Sequence, residues 1–225
     1  MITLTKVTKK FGDKIALNAV SFTAEKGQVV GFLGPNGAGK TTAMRLIVGF
    51  LRPDSGTVTV AGHDPQKDRI AVLDKVGYLA ENNPLYPEMT VGDYLDFVAK
   101  LKNGASLDEN IDELGIAEVF KKRIEELSRG FKQRVGLAAA MIGDPEILIL
   151  DEPTSGLDPL EQEKLRKLIK ALGKEKTILL STHILSEVEE IASSLVIINN
   201  GTIVYDGKKL TGRGAVEQIF KKVVL

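Results

Sequence analysis

Apolar residues along this chain fall in short runs whose period changes repeatedly. Ile2, Leu4 and Val7 lie in extended segments, Phe11-Gly12-Asp13-Lys14 turns the chain before Ile15-Ala16-Leu17, and Val20, Phe22 and Ala24 alternate up to Glu25-Lys26-Gly27. This opening predicts an antiparallel sheet. Val29-Val30-Gly31-Phe32-Leu33 is a nearly continuous apolar run, a glycine-rich loop follows, and Ala43 to Val48 reads as helix. After the break at Arg52-Pro53-Asp54-Ser55-Gly56, Thr57 to Gly62 alternates again, and Val76 to Ala80 is a short buried strand ending at Glu81-Asn82-Asn83-Pro84.

The period then becomes helical. Thr90 caps Val91 to Val98, and Ile111, Leu114, Ile116, Val119 and Phe120 continue the pattern. Ser128 then opens an apolar helix through Val135, Leu137, Ala138 and Met141. Ile147-Leu148-Ile149-Leu150 suits a strand buried on both faces of a parallel sheet, as does Thr177-Ile178-Leu179-Leu180. Between them, Leu160, Leu165, Leu168, Ile169 and Leu172 give one helix an apolar face. Gly201 to Gly207 reads as a last hairpin and Ala215 to Lys222 as a closing amphipathic helix. The pairs Glu125-Glu126 and Glu189-Glu190 read as solvated helix faces. The expected class is α/β with a mainly parallel sheet, an N-terminal antiparallel β subdomain and a helical block inserted at about 82–143. All of it forms one domain over 1–225.

Chemistry enters at Gly34-Pro35-Asn36-Gly37-Ala38-Gly39-Lys40-Thr41-Thr42, between a strand and a helix. Gly34, Gly39, Lys40 and Thr41 satisfy the phosphate-loop spacing, in which backbone N–H groups form a nest around phosphate oxygens. The helix start directs its free N–H groups and dipole at the same anion, Lys40 reaches the β/γ-phosphates, and the Thr41 hydroxyl is placed for Mg²⁺. This predicts nucleotide binding on a P-loop NTPase core. Asp151 and Glu152 fall at the carboxyl end of a buried strand, where parallel sheets place ligands. Asp151 is placed to hold Mg²⁺, and Glu152 to orient or deprotonate an attacking water. His183, ending the next buried strand, can hydrogen-bond a terminal phosphate and that base.

Other residues keep two readings. Phe11 at its turn is a hairpin or core aromatic, or a platform for a purine. Ser128 is a helix cap, or with Gly130, Arg129, Lys132 and Arg134 a second anion site. His63 has no partner at ligand spacing and reads as a surface histidine.

Composition narrows the setting. Thirty basic residues balance thirty acidic ones, which disfavours nucleic acid as partner, and the absence of cysteine excludes disulfides and thiolate metal clusters. The amino terminus lacks the apolar core of a signal peptide, and no stretch approaches the ~18 apolar residues of a membrane-spanning helix. A membrane role is therefore expected to need a partner.

Taken in order, Gly34 to Thr42, Leu127 to Arg134, Leu148 to Pro153, Ser155 to Asp158 and His183 resemble the nucleotide-binding subunit of ABC transporters over nearly the whole chain. The resemblance implies ATP and Mg²⁺, adenine stacking on Phe11, and a signature motif containing Ser128 and Gly130. It further implies Asp158 in a loop between subunits and His183 as a switch histidine. As partners it implies a head-to-tail, ATP-dependent homodimer and an integral membrane permease, with the chain peripheral on the cytoplasmic face. Two motifs depart from the family pattern. Leu-Ser-Gly-Gly-Gln appears as Leu127-Ser128-Arg129-Gly130-Phe131, and Glu81 stands where glutamine is usual, near the expected metal. Both resemble the branch serving drug-efflux, sodium-efflux and gliding-motility exporters. The alternative is a soluble ATPase of the same type clamping ribosomes or DNA, disfavoured by one copy of each motif and no sustained heptads.

Overall fold

The computed structural model describes residues 1–102, 112, 114–209, 212 and 214–224; Ile111, assigned above to a helical pattern, lies outside them. The chain opens with β1 (Ile2–Phe11) and β2 (Lys14–Ala24), then β3 (Val29–Leu33), α1 (Lys40–Ile47) and β4 (Ser55–Val60). β1 lies between β2 and β4 in a three-stranded antiparallel sheet. Residues 15–24, read from the sequence as two alternations, form a single bulged strand. The β1–β2 register shifts between Leu4 and Val7 and again before Lys10, and Lys6 and Ala19 take φ of 50° and 48°. Hydroxyls take the amides the ladder releases there: Lys6 N–H donates to Ser21 Oγ at 2.8 Å and Ala19 N–H to Thr8 Oγ1 at 3.1 Å.

The second sheet follows with α2 (Arg69–Lys75), β5 (Val76–Leu79), α3 (Val91–Leu101), α4 (Arg129–Met141), β6 (Ile147–Asp151), α5 (Pro159–Leu172), β7 (Thr177–Thr182), α6 (Leu185–Ile191), β8 (Ser194–Asn199), β9 (Thr202–Lys208) and α7 (Ala215–Val224). Its order is β5-β6-β7-β3-β8-β9, parallel throughout except for β9. The β8–β9 hairpin turns through Asn200 and Gly201, both at positive φ, as a right-twisted two-residue turn requires. Between β5 and β6 the described elements are helical: α3, short 3₁₀ turns at Ala117–Val119 and Ile124–Glu126, and α4. Thr90 caps α3 by accepting from Asp93 N–H at 3.1 Å, as its position predicts. The sequence pattern gave no sign of α2, because among its seven residues only Val72 is buried.

Alternation along the parallel strands builds two cores. Leu33, Leu148, Leu150, Ile178 and Leu180 face α4, α5 and α6, while Val30, Phe32, Ile147, Ile149 and Leu179 face α1 and the antiparallel sheet. Burying one such side chain stabilises the fold by about 1.5–3 kcal/mol. That sandwich fixes the adjacent carboxyl ends of β6, β7 and β3, from which the chemistry-bearing loops emerge.

The acidic pairs divide. Glu125, Glu126 and Glu190 are exposed as expected, whereas Glu189 is half-buried, which corrects its reading as a solvated face. Among the described residues, no helix is long and apolar enough to cross a membrane.

Candidate functional site

β3 delivers the chain to residues 34–39 with all five of its side-chain positions buried. Gly39 caps α1 at φ 113°, and a Cβ on it would sit 2.7 Å from the Ala16 carbonyl, so the loop closes this tightly only with glycine. The turn holds itself by Ala38 N–H to Pro35 O at 3.2 Å and by Gly201 N–H to Ala38 O at 2.9 Å. The second bond ties the loop to the β8–β9 turn.

In front of the loop lies a cleft of about 370 Å³. Asn36, Gly37, Gly39, Lys40, Thr41 and Thr42 line one side; Phe11, Glu81 and Glu152 complete it. Gly34 and Ala38 lie behind this surface, buried against Ile198 and the α1 start. Phe11, 49% exposed at the β1–β2 turn, forms the outer wall, so its exposure favours a platform over a core role. Lys14 and Ala16 also line the cleft and were missed in the sequence. Lys14 faces Phe11 across the hairpin turn, and that pairing was the available signal.

Lys40 Nζ donates to the Gly34 and Pro35 carbonyls at 2.8 and 3.3 Å and pairs with Glu152 Oε1 at 3.1 Å. Only 7% of the Lys40 side chain and 8% of the Glu152 side chain are exposed. The other Glu152 oxygen, Oε2, lies 2.8 Å from Nδ1 of His183, whose ring is 45% exposed. One carboxylate thus joins the phosphate-loop lysine to the histidine after β7. Glu152 holds φ at 50°, a left-handed conformation that costs a non-glycine residue about 1–2 kcal/mol. Its N–H, donating to the Ser181 carbonyl at 3.1 Å, helps to hold it there. Strain of this kind at a carboxylate in a cleft points to function.

Asp151 is fully buried behind Glu152. Ser181 Oγ donates to its Oδ1 at 2.5 Å, while Oδ2 is buried without a hydrogen-bond partner. Burial pushes its pKa up, opposed by the hydroxyls of Ser181 and Thr41, and the neighbouring Glu152 charge adds to the rise. A buried carboxylate oxygen without a partner, beside the Thr41 hydroxyl, suits a hard cation. Among the described residues no cluster of three or more His, Cys, Asp or Glu side chains could hold a metal, so any cation there must draw other ligands from substrate or water.

Ser128 and Gly130 do not line this cleft. Ser128 caps α4 by accepting from Phe131 N–H at 3.3 Å. Gly130 is buried under Glu161, whose Oε2 would lie 2.5 Å from a Cβ at that position. Arg134 and Lys164 pair with Glu161 at 3.3 and 2.9 Å and offset its charge beside the exposed helix start. Asp158 caps α5, accepting from Leu160 and Glu161 N–H at 3.0 Å each.

This combination of loop, paired carboxylates and histidine on one sheet edge can be compared with known proteins. The family model described as ABC transporter matches residues 17–155. The chain belongs to that family. It is 38% identical over 233 residues to the ABC transporter ATP-binding protein NatA of Bacillus subtilis (strain 168), covering 98% of this chain and 92% of that one. It is 34% identical to the lantibiotic transport ATP-binding protein SrtF of Streptococcus pyogenes, covering 100% and 98%. A solved dimeric bacterial ABC transporter cassette superposes with a TM-score of 0.83 at 26% identity, covering 94% of this chain and 100% of that one. The same cassette in a post-hydrolysis state with ADP and Pi gives 0.82 at 25%, with the same coverage. As an ABC transporter cassette the chain is the ATP-binding and ATP-hydrolysing subunit, built on the α/β P-loop fold its motifs predict.

Proposed function

We propose that the chain drives export through a separate integral membrane permease, working on the cytoplasmic face as one half of a head-to-tail dimer that closes on two ATP molecules and reopens after hydrolysis. The observation that carries this reading is the meeting of Lys40, Glu152 and His183 on a single carboxylate. The backbone amides of residues 36–42 and Lys40 hold the polyphosphate, Phe11 stacks on adenine, and Glu152 accepts a proton from the attacking water while His183 orients it. Thr41, Asp151 and Glu81 would hold Mg²⁺, directly or through water, and the ion would supply neutralisation of the polyphosphate charge. Ser128 and Gly130 serve the partner chain's nucleotide, which agrees with their place outside this chain's own cleft. Export is favoured because relatives named for lantibiotic and bacitracin transport match most of the chain. We infer that residues 1–225 make one ATPase domain, with the helical block at about 82–143 inserted between β5 and β6.

The test is Glu152→Gln. Removing the proton acceptor while keeping its shape is expected to lower turnover by ~10²–10⁴ with ATP binding intact. Turnover within about twofold of the parent chain would refute the role of Glu152.

A further inference from the structure

Glu187, on α6, is fully buried and takes no part in the chemistry above. A buried carboxylate is costly unless its oxygens are satisfied, and here each oxygen has one hydroxyl donor. Thr154 Oγ1 donates to Oε1, and Thr182 Oγ1 donates to Oε2 at 2.7 Å. Both threonines are themselves buried. Burial raises the carboxyl's pKa, and the two hydroxyls and the Arg166 charge oppose the rise.

The donors come from two different loops. Thr154 lies two residues after Glu152, in the turn closed by Ser155 N–H on the Glu152 carbonyl at 3.1 Å. Thr182 immediately precedes His183, and its Oγ1 also accepts from Ile184 N–H at 3.0 Å, which shapes the chain around the histidine. The mount is rigid. Val188, next to Glu187, packs so closely on β3 that a Cβ on Gly31 would lie 2.5 Å from its Cγ1. One carboxylate, fixed to the strand that leads into the phosphate loop, therefore grips both the turn after Glu152 and the residue before His183.

We propose that Glu187 is a positioning residue for ATP hydrolysis: by bridging Thr154 and Thr182 it sets the 2.8 Å approach of His183 to Glu152. This rests on the reading in which Glu152 and His183 prepare the water. Strand pairing aligns the ends of β6 and β7 and the Glu152 N–H bond to Ser181 holds the backbone there, but the side chains used in the reaction lie beyond those ends, where the Glu187 bridge adds a buried side-chain link between the two loops. A displacement of about 1 Å at a reacting centre can lower a rate by about 10²-fold, while nucleotide affinity, set by the loop amides and Lys40, does not depend on the bridge.

The experiment measures kcat and ATP dissociation constant in the full chain for Glu187→Leu, Glu187→Gln and Thr154→Val, with Glu152→Gln in parallel. Thr154→Val keeps the side-chain volume and removes one donor, so it decides the matter alone if Glu187→Leu does not fold. Expected are a ~10–100-fold fall in kcat for Glu187→Leu and Thr154→Val with ATP affinity within about twofold, and recovery to within about fivefold of the parent in Glu187→Gln, whose amide can still bridge both hydroxyls. An unchanged kcat per ATP-binding site, or loss of kcat and affinity together, would overturn the inference. If Glu152→Gln loses turnover and Thr154→Val does not, the inference alone fails. If Glu152→Gln keeps its turnover, the reading beneath it fails as well.

Discussion

Lys40 sits at the centre of the site because three oxygens from two directions converge on it, two loop carbonyls and the Glu152 carboxylate. A phosphate that takes this ammonium gains charge-assisted hydrogen bonds worth about 1.5–3 kcal/mol, so Lys40→Ala should weaken ATP binding ~10- to 100-fold. Calorimetric titration measures it, and an unchanged dissociation constant would count against the cradle. Glu81 lies across the same cleft without entering the lysine's hydrogen bonds. Glu81→Gln is therefore expected to spare ATP binding, and a collapse in affinity in the same titration would make Glu81 part of the cradle. The phosphate-loop residues were legible because loop chemistry restricts them to a few types at fixed spacing. Ala16 and Glu187 were not, since each acquires its place from a partner far along the chain or from burial, whereas Lys14 was open to reading from its place opposite Phe11 across the hairpin turn.

Strand ends supply the geometry in which those side chains act. β6 reads as Ile147-Leu148-Ile149-Leu150-Asp151, every position buried, so it carries Asp151 and Glu152 to the sheet edge as a fixed platform. Ile149→Ala removes a fully buried side chain facing α1 and the antiparallel sheet, and should cost ~2–4 kcal/mol of stability, read as a lower denaturation midpoint with unchanged slope. A loss below about 0.5 kcal/mol would contradict that packing. Buried parallel strands and capped helices were visible in the sequence because period and caps are local properties. The bulges of β1 and β2 were not, because register slips are set by the partner strand and by Ser21 and Thr8 hydroxyls. Helix α2 escaped for a related reason: its short, mostly exposed sequence carries almost no apolar stripe.

Across the molecule, the phosphate loop, Glu152 and His183 gather on one sheet edge, while Ser128 and Gly130 do not line the cleft there. A chain arranged this way is expected to work against a second copy, and the equal numbers of basic and acidic residues provide no broad field for nucleic acid. On the reading proposed above, substrate choice and the membrane path belong to the permease. The direct test is to express tagged Glu152→Gln protein in its own cells, trap it with Mg-ATP, solubilise membranes in mild detergent and identify what copurifies. The account predicts two copies of this chain with a multi-span membrane protein in fixed stoichiometry. Ribosomes or DNA in its place, with no membrane protein, would contradict transport while leaving the ATP chemistry standing.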